Sequence, residues 1–230
     1  MRRGPAVVAT CLAMVVAAGC GGSSMGSKVD PQALLVEAKA TIDASHSAHF
    51  VLTSHGFSGG AISITGGDGD LVRPDEIQGS FTVALRGFRV DIKVVSKGGV
   101  FEVLLPFQAS YRRTNPANYG LDDPAQLLDP VHGLSNLLVL ATGAHLTGQE
   151  RIAGELLDEV TAAVPGSSIP VLPDVNPSQP VTLVAAIDPK SRQVRQITLT
   201  GPFLSATSDS TFVVTLTKYD EAVTVTLPPT

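Results

Sequence analysis
The chain has 230 residues, 16 Lys and Arg against 21 Asp and Glu, and no Trp. A formal net charge of −5 argues against nucleic acid as a partner, because phosphate binding needs a basic surface. The scarcity of aromatic residues also leaves a carbohydrate-binding module little on which to stack sugars.

The first nineteen residues read as a secretory signal: Arg2 and Arg3 form a basic start, and Ala6 to Ala18 is an apolar run interrupted by Thr10. That run is shorter than the ~20 residues a membrane-spanning helix needs. It ends in Ala17-Ala18-Gly19-Cys20, small residues leading directly into a cysteine. The pattern resembles the bacterial lipobox, although Ala17 stands where Leu is common. The resemblance implies removal of residues 1–19 and acylation of Cys20. Cys11 lies inside the signal, so the mature chain has one thiol and no intrachain disulfide. Removing Arg2 and Arg3 takes the net charge to −7, which argues against a polybasic membrane clamp. Residues 20–29 read as a flexible tether of small and polar residues, and residues 30–230 as one domain with a substantial core.

Asp30-Pro31 is a helix start, with Asp as cap and Pro in the first turn. Leu34, Leu35, Ala38 and Ile42 make one apolar stripe reaching about Ser45. The period then changes to two. His49–Thr53 reads as a strand, with short strands at Ala61–Thr65 and Leu71-Val72 separated by a Gly/Asp turn. From Glu76 to Leu105 the alternation is clear. Phe81, Val83 and Leu85 share one side of their strand, Val90, Ile92 and Val94 one side of the next, and Phe101, Val103 and Leu105 return after Gly98-Gly99. These are successive hairpins of an antiparallel sheet with one apolar face. Pro124–Asp129 makes a short helical turn, and Pro130–Leu140 a second helix carrying Leu134, Leu137, Leu138 and Val139. Strands follow over Ala144–Val164 and, after a Pro-rich excursion, over Val181–Ile187, Gln193–Thr200, Thr211–Lys218 and Ala222–Leu227.

Enzymatic motifs are absent from this pattern. Gly133-Leu134-Ser135-Asn136-Leu137 lacks the second Gly of a nucleophile elbow. His46, His49 and His55 fit no metal spacing, and Asp68-Gly69-Asp70 lacks the other ligands of a calcium loop and reads as a hairpin turn. No enzyme activity, metal or cofactor is expected.

Three stretches carry a family resemblance: the Leu34-Leu35-Val36-Glu37-Ala38-Lys39-Ala40 helix, the Ser47–Thr53 strand, and above all Asp122-Asp123-Pro124-Ala125-Gln126-Leu127-Leu128-Asp129-Pro130-Val131-His132-Gly133-Leu134. With the lipobox and the closing Val214–Glu221, they resemble the mycobacterial LppX/LprA/LprF/LprG lipoproteins. The resemblance implies an α+β fold: a single curved antiparallel half-barrel, helices on its concave face, and an apolar cavity between. It implies a lipid carrier that takes acylated glycolipids or other long-chain lipids from the plasma membrane toward the outer envelope. Such a protein is lipid-anchored on the outer face of the plasma membrane, with a membrane transporter as a further partner. The cavity residues expected are Phe81, Val83, Val90, Ile92, Val94, Phe101, Val103 and Leu105 from the sheet. Leu127, Leu128, Leu134, Leu137 and Leu138 face them from the helices. The contrasting reading is a structural or signalling lipoprotein with a filled core.

Overall fold
A computed structural model describes residues 29–56, 63–85, 88–119, 122–169, 179–203 and 208–229. The signal, Cys20, the tether up to residue 28, and the first two residues of the expected strand Ala61–Thr65 lie outside the described residues.

The chain opens with helix α1 (Pro31–Ala44). The Asp30 carboxylate accepts the Gln32 N–H at 3.0 Å, satisfying one free donor of the first turn. The helix buries Leu34, Leu35, Ala38 and Ile42, the stripe expected from their spacing. A meander follows: β1 (Ser47–His55), β2 (Ser63–Val72), β3 (Glu76–Leu85), β4 (Phe88–Lys97), β5 (Val100–Leu104) and β6 (Arg112–Thr114). Two 3-10 turns (Pro116–Tyr119 and Pro124–Leu128) and helix α2 (Leu134–Leu140) lead to a second meander. It comprises β7 (Thr142–Ile152), β8 (Glu155–Pro165), β9 (Pro180–Ile187), β10 (Val194–Gly201) and β11 (Ser210–Thr217).

All eleven strands form one antiparallel sheet in the order β6-β5-β4-β3-β2-β1-β11-β10-β9-β8-β7. It is an open, curved sheet with few helices, as the sequence resemblance implied. The edges are β6 and β7, which are consecutive in the chain. The connection between them, residues 115–141, therefore returns from one edge to the other across the face that also carries α1. We call this the inner face. One continuous apolar core lies there, from Leu35, Leu137 and Leu138 on the helices to Phe50, Ile77, Leu183 and Ile197 on the strands.

Two strand expectations are corrected. Gly66–Asp70 is not a turn: β2 is continuous from Ser63 to Val72, pairing Phe50 with Gly69 and Gly67 with Phe81. The Phe50 and Phe81 rings stack with centroids 5.7 Å apart. A Cβ on Gly67 would lie 2.7 Å from the Phe81 ring, and one on Gly69 only 3.0 Å from the Phe50 ring and 2.7 Å from Gly79 Cα. The glycines are there so that two rings can lie flat on the sheet, a close approach that Gly alone permits. Ala222–Leu227 is not a strand either. Both neighbours of β11 are already taken by β1 and β10, so the segment after it leaves the sheet. The Asp220 N–H donates to the Ser47 carbonyl, and Lys97 Nζ donates to the Val225 carbonyl at 3.0 Å. Val225 is buried, as are Val95 and Glu102 on the strand faces turned away from the helices. The second helix is also shorter than expected, beginning at Leu134 after a turn from Pro130.

Polar contacts fasten the crossing segment. The Arg73 guanidinium donates to the carbonyls of Ser45 (2.8 Å), Ile42 (3.0 Å) and Leu128, joining the β2–β3 turn, the end of α1 and the second 3-10 turn. Asp43 lies 3.6 Å from the same guanidinium, pairs with Lys39, and accepts from the fully buried Ser135 hydroxyl of α2 at 2.6 Å.

Two outcomes follow. Gly69→Ala is expected to lower stability by about 1–3 kcal/mol, the usual cost of overpacking, measured as a lower Tm; an unchanged Tm would contradict the flat-ring packing. Arg73→Lys, which keeps the charge but loses the planar fork, is expected to cost about 2 kcal/mol because hydrogen bonds from a charged group are lost. Denaturant titration measures it, and a loss under about 0.5 kcal/mol would contradict the clamp.

Candidate functional site
The inner face of the sheet is set by strand register. Phe81 pairs with Ile92, Val83 with Val90, Gly79 with Val94, and Val94 in turn with Val103. Directly paired residues in antiparallel strands point to the same side, so Phe81, Val83, Val90, Ile92, Val94 and Val103 share one surface. Ser96 pairs with Phe101 and continues it.

Helical residues meet this surface from above. Leu128, Leu134, Leu137 and Leu138 are buried in the same core as Phe81, Val94, Phe101 and Val103. Ile92, Leu105 and Leu127 are partly buried against it, and Val83 and Val90 are also of intermediate exposure. The thirteen residues expected at a cavity thus all belong to one apolar region or its partly open margin. Its tightest part is under the helices, where Leu137 and Leu138 are inaccessible. The more accessible part is the half of the sheet around Val83, Val90 and Ile92.

The sequence reading missed several members of this surface. Leu52 and Val214 are paired across β1 and β11, and Ile64 pairs with Val83. All three are partly buried against the core. Phe50, which the alternation placed only in a strand, supplies one of the two flat rings. Alternation within β1 (Ala48, Phe50, Leu52) is the signal that could have found two of them. Ile64 precedes a register shift in β2, which breaks the alternation there.

Polar groups position the helical cover. Asp123 caps the second 3-10 turn, accepting the Ala125 N–H at 3.0 Å through one oxygen and the buried Ser96 hydroxyl at 3.0 Å through the other. The motif aspartate is therefore a tie between the crossing segment and β4. Asp129 accepts the backbone N–H groups of His132 and Val131, and these bonds, with His132 nearby, hold its carboxyl below the usual carboxylate range. The carbonyls of Leu127 and Asp129 stand where a Cβ on Gly133 would go, so the turn into α2 requires glycine. At the other side of the core, burial pushes the Tyr219 phenol up, and its hydroxyl donates to the Val194 carbonyl at 2.6 Å.

Of the histidine candidates, His49 is the neighbour of both aspartates. His49 Nδ1 lies 2.9 Å from Asp70 and Nε2 3.5 Å from Asp68, on the side of β1 and β2 away from the helices. Among the described residues no group of three or more His, Cys, Asp or Glu could hold a metal ion.

The profile of the family described as LppX_LprAFG lipoprotein matches residues 30–225. The chain is 32% identical to the lipoarabinomannan carrier protein LprG of Mycobacterium tuberculosis (strain H37Rv) over 234 residues, covering 99% of this chain and 96% of that one. It is 30% identical to the protein of the same name from Mycobacterium leprae, with 99% and 96% covered. Among solved structures, LprF from Mycobacterium bovis matches with a TM-score of 0.68 at 16% identity, over 86% of this chain and 96% of that one. LppX from Mycobacterium tuberculosis matches with a TM-score of 0.62 at 18% identity, over 86% and 100%. These two likenesses concern the fold. A match over nearly the whole described domain places this chain in the LppX_LprAFG lipoprotein family.

Proposed function
We propose that this protein is a cell-envelope lipid carrier: a lipoprotein acylated at Cys20 after loss of residues 1–19, held on the outer face of the plasma membrane by its acyl chains and the 20–29 tether. Residues 30–230 are its lipid-binding domain. The acyl chains of a glycolipid or another long-chain lipid lie against the inner face, between the Phe81–Leu105 hairpins and Leu127, Leu128, Leu134, Leu137 and Leu138. The observation that carries this reading is the apolar, half-exposed region formed by Leu52, Ile64, Val83, Val90, Ile92 and Val214. A packed core would close such a region, and a carrier needs it accessible. The name of the relatives, lipoarabinomannan carrier protein, supports a lipid-bearing glycan as cargo.

The mechanism is transfer with no bond broken. Each methylene removed from water contributes about 0.8 kcal/mol, so a sixteen-carbon chain gains roughly 12 kcal/mol over water. Compared with a bilayer the gain is near zero, so loading from the plasma membrane and release toward the outer envelope, to a transporter or another acceptor, are both feasible. No residue of the surface is asked to act as acid, base or nucleophile.

The stacked pair Phe50 and Phe81 favours the contrasting filled-core reading, since large rings occupy the inner face. They lie flat over Gly67 and Gly69, however, and so take up only the thickness of a ring.

Native mass spectrometry with lipid extraction, on protein made in an actinobacterial host, separates the two. The carrier reading expects co-purified acylated lipid, reduced at least tenfold by Ile92→Trp with the fold intact by circular dichroism. A bare protein mass under gentle conditions, with no uptake of offered glycolipid, would leave the filled-core interaction protein as the better account.

A further inference from the structure
Two apolar rows of the inner face do not stop at the core. On β4 the row passes from buried Val94 through half-exposed Ile92 and Val90 to Phe88, which is 76% exposed. On β5 the row passes from buried Phe101 and Val103 to partly buried Leu105, and the fully exposed Phe107 lies in the turn that follows. Both rows leave the core in the same direction. β5 runs antiparallel to β4, so the end of β5 and the start of β4 lie on the same side of the sheet. β4 also extends past β5, whose pairing with it covers only Lys93–Lys97 among the described residues. Exposed large apolar residues at the end of a continuous apolar track mark an interaction surface.

Charge at this margin runs against the rest of the chain. Between Phe88 and Thr114 the sequence holds Arg89, Lys93, Lys97, Arg112 and Arg113 against Asp91 and Glu102, a net +3 in a chain of net −5, with Lys97 at the far end of β4 from Phe88. Arg89, Lys93, Arg112 and Arg113 are exposed. Lys97 pairs with Glu76, and Arg113 lies 3.8 Å from Glu102. Aromatic residues beside exposed arginines are the composition that settles at a membrane interface, with rings among the acyl chains and cations at anionic headgroups. An acidic protein surface would satisfy the arginines but leave the track from Phe88 to Val94 unexplained. A bilayer accounts for both.

We infer that the margin formed by the β3–β4 hairpin, the β5–β6 turn and β6 docks on an anionic lipid bilayer, with Phe88 and Phe107 entering the headgroup boundary and Arg89, Arg112 and Arg113 holding the surface. The inference deepens the carrier reading and rests on it for the membrane-anchored setting. In that setting the docked margin sets the open end of the apolar track at the bilayer, where a lipid tail can pass onto Val90 and Ile92 without crossing water.

The chain has no Trp, so a single introduced indole reports its own surroundings. The acylated lipoprotein carrying Phe88→Trp or Phe107→Trp is reconstituted in phosphatidylglycerol vesicles containing brominated lipid, with Leu156→Trp in the far β7–β8 hairpin as control. The expected result is at least threefold stronger quenching at 88 and 107 than at 156. Phosphatidylcholine vesicles, or Arg89→Gln, Arg112→Gln and Arg113→Gln together, are expected to halve that quenching or more. Equal quenching at all three positions would overturn the inference, as would quenching indifferent to vesicle charge and to the arginines. The first result would also be the outcome if the margin serves a protein partner. Lipid co-purification is read separately by mass, so an unloaded protein that still docks counts against the carrier reading alone.

Discussion

The two edges of the sheet are joined by one connection, and the architecture depends on that constraint. β6 and β7 follow each other in the chain yet stand at opposite ends of an eleven-strand order. Ten gaps of ~4.8 Å would separate them by roughly 48 Å in a flat sheet. The connection between them must bridge that span, and its described part does so across the inner face, which the sheet's curvature shortens. Its aliphatic content follows from this route: Ala125, Leu128, Leu134, Leu137 and Leu138 are buried because they cross a core. The Arg73 fork, the Asp43–Ser135 contact and the Asp123–Ser96 tie then fix the height at which they cross. The bridge is thus fixed at its polar contacts and apolar beneath them.

The same constraint separates the two halves of the inner face. Where α1, α2 and the 3-10 turn sit, side chains are fully buried, as at Leu35, Ile77 and Leu137. Toward the β3–β4 hairpin the cover gives way, and Val83, Val90 and Ile92 are half-exposed. Carriage of a lipid requires both properties. In the proposed carrier, a rigid part would keep the sheet curved and an accessible part would exchange cargo at little free-energy difference from a bilayer.

Much of this was legible in the sequence, for reasons that differ from element to element. α1 was legible because capping and a 3.6-residue stripe act within one turn or two. β3, β4 and β5 were legible because alternation reports one buried face, and their register brought the expected residues together. The half-barrel itself came from the resemblance carried by the Asp123-Pro124 to Gly133-Leu134 motif, and the edge-to-edge route explains why that motif is distinctive. Gly66–Asp70 was misread because glycine and aspartate signal a turn locally, whereas here glycine makes room for rings from β1 and β3 that no local window contains. Ala222–Leu227 was misread because alternation says nothing about whether a strand partner is free. The Arg73 clamp joins residues 28 to 55 positions apart, so only the folded chain displays it.

The central claim is that acyl chains occupy the inner face. Its most direct measurement is photocrosslinking with a diacyl lipid carrying a diazirine near its chain ends, followed by peptide mapping of the labelled protein. The account predicts adducts on β3, β4 and residues 124–140, and none on the segment after β11 that packs against the opposite side. Adducts confined to that outer segment, or spread evenly over all peptides, would contradict it.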